Sequence, residues 1–543
     1  MNQRTARCGT LLLVLTAVAG TTVHAQAAAG NPCTANLPVI DVADDWAMLI
    51  RMRQLQGATP VSSLTIRRPA ADRRIAVCAP GTADSPAQPR TWRLGSASLQ
   101  PLPLRIRSTF NSGYALDSNN GALWAGRGLS TAVSAGFELR AGPLSAALYP
   151  VAALHENQHF PIAPVPVAYS RYSYPGHVID WPQRHGGDSF TRLDLGQSHV
   201  RIDAFGAAVG VSTENMWLGP AQRMPLLMGA SAPGFPHVFV GTSRPRDIGI
   251  GRIEAQAFWG RLTESAYFDD DPANDHTLLA GLTLVFEPVF ARGLFIGANR
   301  MHLAGWDGSD AYAMIVDPYV DVRGNPFGDN QLLSLFARWV LPAAGFEVYG
   351  EWARDDHWEH WKDLLLEPDH SQVYMLGFQK TGSLGDADLR WFGELAHLQA
   401  AMPLRAARGV ITFYTHSQVT QGFTHQGQLL GAWIGPGSDA QLIGVERIAG
   451  ERMTGLGIER VRFDDDAYYN HWGRIYGHNG HDVALTGLLR HTEPVGDFAV
   501  RTLLGFSRRH NRNFIRFDGG HPGDFRAETN VRLDVDFVWR PGW

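Results

Sequence analysis

Residues 531–543 read VRLDVDFVWRPGW, and this stretch alternates in polarity at every second position. Successive side chains of a β-strand point to opposite faces, so a strand here has one apolar and one charged face. The apolar face carries Val531, Leu533, Val535, Phe537 and Trp539. The opposite face carries Arg532, Asp534, Asp536, Val538 and Arg540. Such a strand suits a sheet that separates an apolar medium from a polar interior.

The two-residue period continues through the chain from about residue 102, and the connections between these segments alternate between long and short. Short ones are predicted near 142–143, 204–206, 259–260, 289–293, 342–345, 382–386, 449–453 and 492–496. Long ones are predicted near 113–133, 155–193, 215–251, 269–276, 304–330, 356–370, 399–439, 464–480 and 509–525. Together they join about 18 antiparallel strands, an even number that is typical of bacterial outer-membrane barrels. Without a turn at 259–260 the count is 16.

The predicted fold class is therefore all-β, a transmembrane outer-membrane β-barrel. A sheet inside lipid must close on itself so that every backbone group is paired. The terminal Trp543 is also typical of outer-membrane barrels. A soluble β-sandwich or propeller would alternate in polarity too, but it does not require the rhythm of long and short connections.

Composition agrees with a barrel and excludes other classes. The 543 residues are 45% hydrophobic, and the mean hydropathy is −0.15. After residue 30 no apolar run approaches the roughly 20 residues of a membrane-spanning helix, so a helical membrane protein is excluded. The net charge of −5 gives no indication of a nucleic-acid partner.

The N-terminus predicts export. Arg4 and Arg7 precede the apolar run LLLVLTAVAG, and small residues follow, so residues 1–25 are interpreted as a signal peptide. In an oxidising compartment the two remaining cysteines, Cys33 and Cys78, favour one disulfide. Two free buried thiols are the alternative.

Between the signal and the barrel, residues 26–100 predict a small helical periplasmic plug segment. Asp41 is the expected helix cap and Gly57 the expected stop. The barrel is assigned to residues 101–543.

Two proline-rich stretches are too apolar for free outer loops. Residues 217–237 read WLGPAQRMPLLMGASAPGFPH, and residues 425–439 read HQGQLLGAWIGPGSD. Proline and glycine at this density exclude regular structure, so both are expected to pack inside the barrel. They serve either as a plug alone or as a ligand surface that includes Trp217, Arg223, His237 and His425.

Residues 351–363, EWARDDHWEHWKD, combine tryptophans with carboxylates, as carbohydrate sites do. Glu351, Trp352 and Asp355 are the candidate sugar contacts, and an interfacial aromatic girdle is the alternative. Asp355 and Asp356 are poorly placed as a hydrolytic pair, because neighbours on a strand point apart. The acidic runs at 269–275 and 464–466 are expected to be solvated.

HENQH, residues 155–159, matches the zinc motif H-E-x-x-H, which requires a helix to bring both histidines to one face. Pro150 and Pro161 bracket the motif and argue against that helix. No catalytic residue, metal or cofactor is therefore predicted.

The stretch WLGPAQRMPLLMGASAPGFPH resembles a segment of the capsule assembly Wzi family, with a G-P element, an apolar L-L-M patch and A-P-G-F-P-H in order. YGEWARDD and HQGQLLGAWIGPGSD also resemble family segments, and the similarity covers nearly the whole mature chain. The resemblance implies an 18-stranded barrel with a helical N-terminal bundle. It also implies a lectin-like, non-catalytic anchor for capsular polysaccharide or another exopolysaccharide.

The predicted function is thus polysaccharide binding at the cell surface by a monomeric barrel in the Gram-negative outer membrane. The other expected partners are outer-membrane lipid, lipopolysaccharide and the barrel-assembly machinery. The alternative is a porin-like transport barrel for oligosaccharides or small solutes, and an enzyme is the more distant rival.

Overall fold

The computed structural model describes residues 41–69, 91–165, 169–306, 329–355, 365–366, 369, 371–401, 412–472, 480–514 and 527–539. The predicted signal peptide, both cysteines of the predicted disulfide, Cys33 and Cys78, and the terminal Trp543 lie outside these residues. No helix in the described part of the chain is long and apolar enough to span a bilayer.

An antiparallel sheet closes on itself around a filled lumen. Its segments are β2 (Trp92–Leu94), β3 (Ala97–Asn111), β4 (Gly128–Ala141), β5 (Leu144–Leu148), β6 (Val151–His155), β7 (Phe190–Asp194), β8 (His199–Ala204), β9 (Ala207–Ser212), β11 (His237–Thr242), β12 (Arg246–Asp247), β13 (Gly251–Thr263), β14 (His276–Pro288), β15 (Leu294–Gly305), β16 (Asp329–Leu341), β17 (Phe346–Asp355), β18 (Gln372–Leu384), β19 (Ala387–His397), β22 (Asp439–Ala449), β23 (Arg452–Phe463), β24 (Asp482–Val495), β25 (Phe498–His510) and β26 (Ala527–Trp539).

The remaining elements are short and lie inside the barrel or in its connections. They are β1 (Ile66–Arg67), β10 (Trp217–Leu218), β20 (Thr424–His425), β21 (Gln428–Leu429), α1 (Trp46–Leu55), a helical turn at Asp465–Ala467, 3-10 turns at Pro342–Ala344 and Arg512–Phe514, and a π-helical turn at Tyr468–Trp472.

Eighteen wall strands form the barrel, which confirms the predicted count. Of the 22 segments in the closed sheet, β2 and β12 only extend neighbouring strands. Two bent strands are each divided into halves, β5 with β6 and β7 with β8. Subtracting β2, β12 and one half of each bent strand from the 22 segments leaves 18 strands.

One predicted hairpin is wrong. Trp259 and Gly260 lie in the middle of β13, where they pair with β14, so no turn occurs there. The hairpin that the count requires lies at residues 243–250, between β11 and β13. β11 falls within the stretch predicted as one long loop over 215–251. Its six residues follow Pro236 directly, so the proline-rich run hides its short alternation.

Strand β26, the stretch quoted at the outset, closes the barrel by pairing with both β25 and β3. Its charged face points inward as predicted: Arg532 and Asp536 are buried, whereas Leu533 and Trp539 are exposed on the outside. Asp536 accepts hydrogen bonds of 2.8 and 2.7 Å from Arg105 on β3. The apolar outer face is the one that lipid would contact.

Residues 41–69, here called the N-terminal segment, fill the lumen at the end of the barrel that carries the short turns. Helix α1 begins at Trp46 and not directly after Asp41. The expected Asp41 cap is therefore wrong, since its carboxylate accepts a hydrogen bond from the backbone of Ala43 instead. The expected stop is confirmed, because Gly57 follows the helix with a φ of +70° that favours glycine.

Two loops fill the rest of the lumen, as predicted for the proline-rich stretches. The first inner loop (residues 213–236) joins β9 to β11, and the second inner loop (residues 412–438) lies in the connection from β19 to β22. Their apolar side chains form the largest buried cluster of the protein. Backbone contacts also join them, including the Gly229 amide to the Leu430 carbonyl at 2.8 Å.

Candidate functional site

A pocket of about 110 Å³ lies at the long-loop end of the lumen, and we call it the outer pocket. Three connections enclose it: the loop between β3 and β4, the loop between β6 and β7, and the second inner loop. Its lining is rich in aromatic side chains. They are Trp124, Phe160, Tyr174, Trp181, Trp433 and Phe463.

Packing among the loops fixes the orientation of these rings. Trp181 is half-buried, and its ring centroid lies 4.8 Å from that of Tyr174. Trp124 packs at 4.6 Å against the ring of His185. Burial lowers the pKa of His185 well below its ordinary value, so this support is a neutral ring. Flat apolar rings held in fixed positions are suited to stacking against a sugar ring.

Polar groups interrupt the aromatic lining. The carboxylate of Asp117 accepts hydrogen bonds from Asn120 at 2.5 Å and from Gln428 at 3.1 Å, and burial raises its pKa to about 6. The indole Nε1 of Trp433 is buried and has no hydrogen-bond partner. A buried donor without a partner is costly, so a ligand oxygen that reached this N–H would gain a hydrogen bond.

Arginines at the pocket are already engaged. Arg509 donates to both carboxylate oxygens of Asp482 at 2.6 Å, and Arg512 donates to Glu528 at 2.6 Å. The guanidinium of Arg512 also lies 5.3 Å from the ring of Phe160. These cations stabilise the wall of the pocket and balance its carboxylates.

The acidic run at 464–466 supports the rim of the pocket, so the expectation that it is solvated is wrong. All three aspartates are at most 1% exposed. Asp464 accepts hydrogen bonds from Tyr174 at 2.8 Å and from His177 at 2.7 Å. Asp465 pairs with Arg462 at 2.8 Å. Tertiary contacts between distant loops, which composition does not reveal, account for the error. The run at 269–275 is largely exposed, as expected.

A second cavity of about 250 Å³ lies between the N-terminal segment and the first inner loop. Ion pairs line it: Arg105 contacts Asp44 at 2.8 Å, and Arg532 contacts Asp534 at 2.7 Å. A void of only about 10 Å³ shares lining residues with this cavity and with the outer pocket. That volume is about the space for one water molecule.

The structure places the candidate sugar contacts of the inner loops mostly in the interior. Trp217 is buried beneath Arg67, whose guanidinium lies 4.4 Å from its ring. His237 begins β11 and is buried. His425 is also buried, and burial lowers its pKa to about 3. Arg223 is partly exposed, pairs with Glu459 at 2.8 Å and lines the small void.

The candidates on β17 divide between its two faces. Glu351 is buried against the first inner loop, and Asp355 is buried where it accepts the Tyr414 amide at 3.1 Å. Trp352 lies on the outer face, and its indole donates to Gln372 at 2.9 Å. None of these three lines the outer pocket. Trp124, Trp181 and Asp117 do so, and their position in long loops was the available sequence signal.

The H-E-x-x-H stretch does not form a helix. His155 ends β6, where it is buried and stacks on Phe190 at 4.3 Å, while His159 is exposed beyond it. Within the described ranges no three His, Cys, Asp or Glu side chains are grouped closely enough to hold a metal ion.

A closed 18-stranded barrel with an apolar exterior, a filled lumen and loops over one end defines an outer-membrane β-barrel. The sequence profile of the capsule assembly protein Wzi family matches residues 109–449, more than half of the chain. The chain belongs to this family, as the sequence resemblance indicated.

The chain is similar to solved structures, and one of them shares its fold. One is Wzi, an outer membrane protein involved in group 1 capsule assembly in Escherichia coli and described as a carbohydrate-binding β-barrel. It is 13% identical, with 92% of this chain and 99% of that chain covered and a TM-score of 0.60. OprD of Pseudomonas aeruginosa is 12% identical, with 84% and 99% covered and a TM-score of 0.38. No curated protein sequence matches.

Proposed function

We propose that this protein binds a surface polysaccharide at the outer pocket and anchors it to the outer membrane without changing it chemically. The observation that carries the proposal is the pocket itself, in which fixed tryptophans surround a buried, unpartnered indole N–H and a carboxylate. Family membership supports the same class of ligand.

Binding would use two kinds of contact. One sugar ring would stack on Trp181, while its hydroxyl groups accept a hydrogen bond from Trp433 and donate one to Asp117. A polymer repeats its unit, so several barrels in one membrane can hold one chain and gain retention through avidity. No step in this scheme requires a nucleophile or a metal.

Glycan-binding measurements on purified, folded protein test the proposal. Wild type and Trp181→Ala would be compared on an array of bacterial capsular polysaccharides and exopolysaccharides. We expect the variant to lose affinity by roughly tenfold or more, because a tryptophan at the centre of a binding site contributes more binding free energy than most other residues. Trp391→Ala, which removes an exposed tryptophan from β19 in the wall, serves as the matched control. Equal binding by wild type and Trp181→Ala would refute the site.

Transport of small solutes is the second candidate, and the small void that shares lining residues with both the outer pocket and the second cavity favours it specifically. The Arg223–Glu459 pair lines the small void. We expect wild-type protein in a planar bilayer to show no steady conductance, because a space for one water does not pass hydrated ions. Steady ohmic pores in wild type would place transport first. Glu459→Ala would widen the small void. This variant is therefore expected to conduct ions if the void connects the outer pocket with the second cavity.

A further inference from the structure

The barrel wall is notched on one side. Strand β9 contains six residues, whereas a strand that crosses a bilayer needs about 9–11 residues. Its neighbour β8 is one half of a bent strand, whose other half, β7, pairs with β6. β9 adjoins the short turn at 205–206 and covers only that half of the wall, whereas β11 on its other side begins at His237, opposite Gly260 of β13. The neighbouring β13 has 13 residues and continues to the long-loop end.

A groove of about 960 Å³ runs along this notch. Its apolar lining residues include Leu148, Val200, Val211 and Val238, which are 58%, 47%, 51% and 48% exposed on the outer face. In a membrane these side chains contact hydrocarbon, so the groove is a concave site within the lipid-facing wall.

The long-loop end of the groove carries a cation. Arg261 lies near the far end of β13, is exposed, and has its guanidinium 5.6 Å from the ring centroid of Trp306. Among the described residues that line the groove, it is the one arginine, lysine, aspartate or glutamate. Tryptophan and arginine at the end of a spanning strand mark the level of the lipid headgroups.

We propose that the groove binds one acyl chain of a phosphorylated, multiply acylated lipid of lipopolysaccharide type from the outer leaflet, with Arg261 contacting its phosphate. Arg261 lies close to the long-loop end of β13, and the long loops of an outer-membrane barrel lie on the side of the outer leaflet. A chain that enters the groove exchanges one apolar environment for another. Selectivity over bulk lipid therefore comes from packing in the concavity and from the guanidinium–phosphate contact.

Two variants test the groove and its cation separately. Val211→Trp fills the groove, and Arg261→Glu reverses the charge at its end. The matched controls are Ile443→Trp on the outer face of β22, 61% exposed, and Arg508→Glu, exposed near the long-loop end of β25. Each barrel would be equilibrated with phosphatidylcholine vesicles that contain equal amounts of bis-phosphorylated, hexa-acylated lipid A and phosphatidylglycerol. Native mass spectrometry would then count the retained lipids.

We expect wild type and both controls to retain one lipid A molecule. Retention by Arg261→Glu should fall about tenfold, as expected for the loss of a charge-assisted contact. Val211→Trp should retain none above the background of bulk lipid. If Val211→Trp does not fold, as judged by its heat-dependent mobility on a gel, Arg261→Glu still decides the question.

Three results would overturn the proposal. Arg261→Glu could retain as much lipid A as Arg508→Glu. Phosphatidylglycerol could be retained in the groove in preference to lipid A. A dimer that disappears in Val211→Trp would show that a second copy of the chain occupies the groove. None of these results bears on glycan binding at the outer pocket, so the two proposals fail separately.

Discussion

The two ends of the lumen are filled by different physical means. At the short-turn end, buried ion pairs hold the N-terminal segment: Glu347 of the wall lies 2.6 Å from both Arg51 and Arg338. At the long-loop end, apolar packing between the two inner loops dominates. Charged pairs fix the segment in one register, whereas the apolar loops leave the indole N–H of Trp433 unpaired at the outer pocket.

This difference indicates that the two ends of the lumen have different roles. Of the carboxylates described around the second cavity, Asp44, Asp45, Asp534 and Asp536 each have a cationic neighbour, and Glu394 accepts hydrogen bonds from the backbone of Gln222–Met224, which suits a permanent seal. The long-loop end leaves the Trp433 indole without a partner and Asp117 half-buried, which suits a binding site. Substitutions at each end should therefore have distinct consequences.

The largest effect is expected from Glu347→Ala. It leaves the buried guanidinium groups of Arg51 and Arg338 without their carboxylate, which should lower the free energy of unfolding by about 3–5 kcal/mol. Urea titration of the barrel, with protease cleavage within residues 41–69 as a second readout, measures it. The control is Glu493→Ala, which breaks the exposed Arg452–Glu493 pair at the same end. An equally large loss from the control would contradict the importance of the buried pairs.

The corresponding change at the long-loop end is Leu226→Ala. Leu226 is 0% exposed in the apolar cluster, and the cavity should lower the free energy of unfolding by about 3 kcal/mol. The same urea titration applies, and protease should now cut the inner loops before residues 41–69. Leu335→Ala, at a lipid-facing position, leaves no enclosed cavity and should cost less. Earlier cleavage of the N-terminal segment would show that the two ends are not independent.

A change of pH should affect the long-loop end and leave the short-turn end unchanged. Burial alone would lower the pKa of His177, but the Asp464 carboxylate at 2.7 Å raises it above the ordinary 6.5. The protonated form thus stabilises the folded loops. Its contribution is complete below pH 6.5 and is lost as the pH rises through the raised value.

We therefore expect the outer loops to become more sensitive to protease as the pH rises above 6.5, and His177→Gln to abolish this dependence. His491→Gln, an exposed histidine at the other end, should leave the dependence unchanged. Cleavage of wild type that does not vary with pH would show that the His177–Asp464 pair does not support the rim.

The smallest effect is expected from Trp433→Phe. This change keeps an aromatic ring in the outer pocket but removes the unpartnered N–H. Loss of one hydrogen bond should weaken glycan binding by about 0.5–1.5 kcal/mol, or roughly two- to tenfold, with stability unchanged. Titration of the polysaccharide selected on the array measures it. Unchanged affinity would mean that the indole does not contact the ligand.

Periodicity alone was enough to predict the barrel, because lipid outside and polar groups inside impose the two-residue alternation on every spanning strand. The strand count was right although one hairpin was misplaced, since β11 is too short to show its period beside Pro236. The inward folding of residues 217–237 was also predictable, because an apolar irregular loop must be buried.

The candidate site was less predictable from sequence. Glu351, Asp355 and His425 carry the right chemistry for sugar binding, yet tertiary packing buries them in the lumen. Trp124 and Trp181 carry no local signal beyond their place in long loops. Asp464, Asp465 and Asp466 look like a solvated run, but each meets partners that are distant in sequence.

The sequence by itself determined which residues face lipid, how many strands close the sheet and which loops must be buried, because these follow from local patterns of polarity. Only the tertiary structure decided which charges are paired, which indole is left free and where the wall is notched. Those properties depend on contacts between segments that lie far apart along the chain.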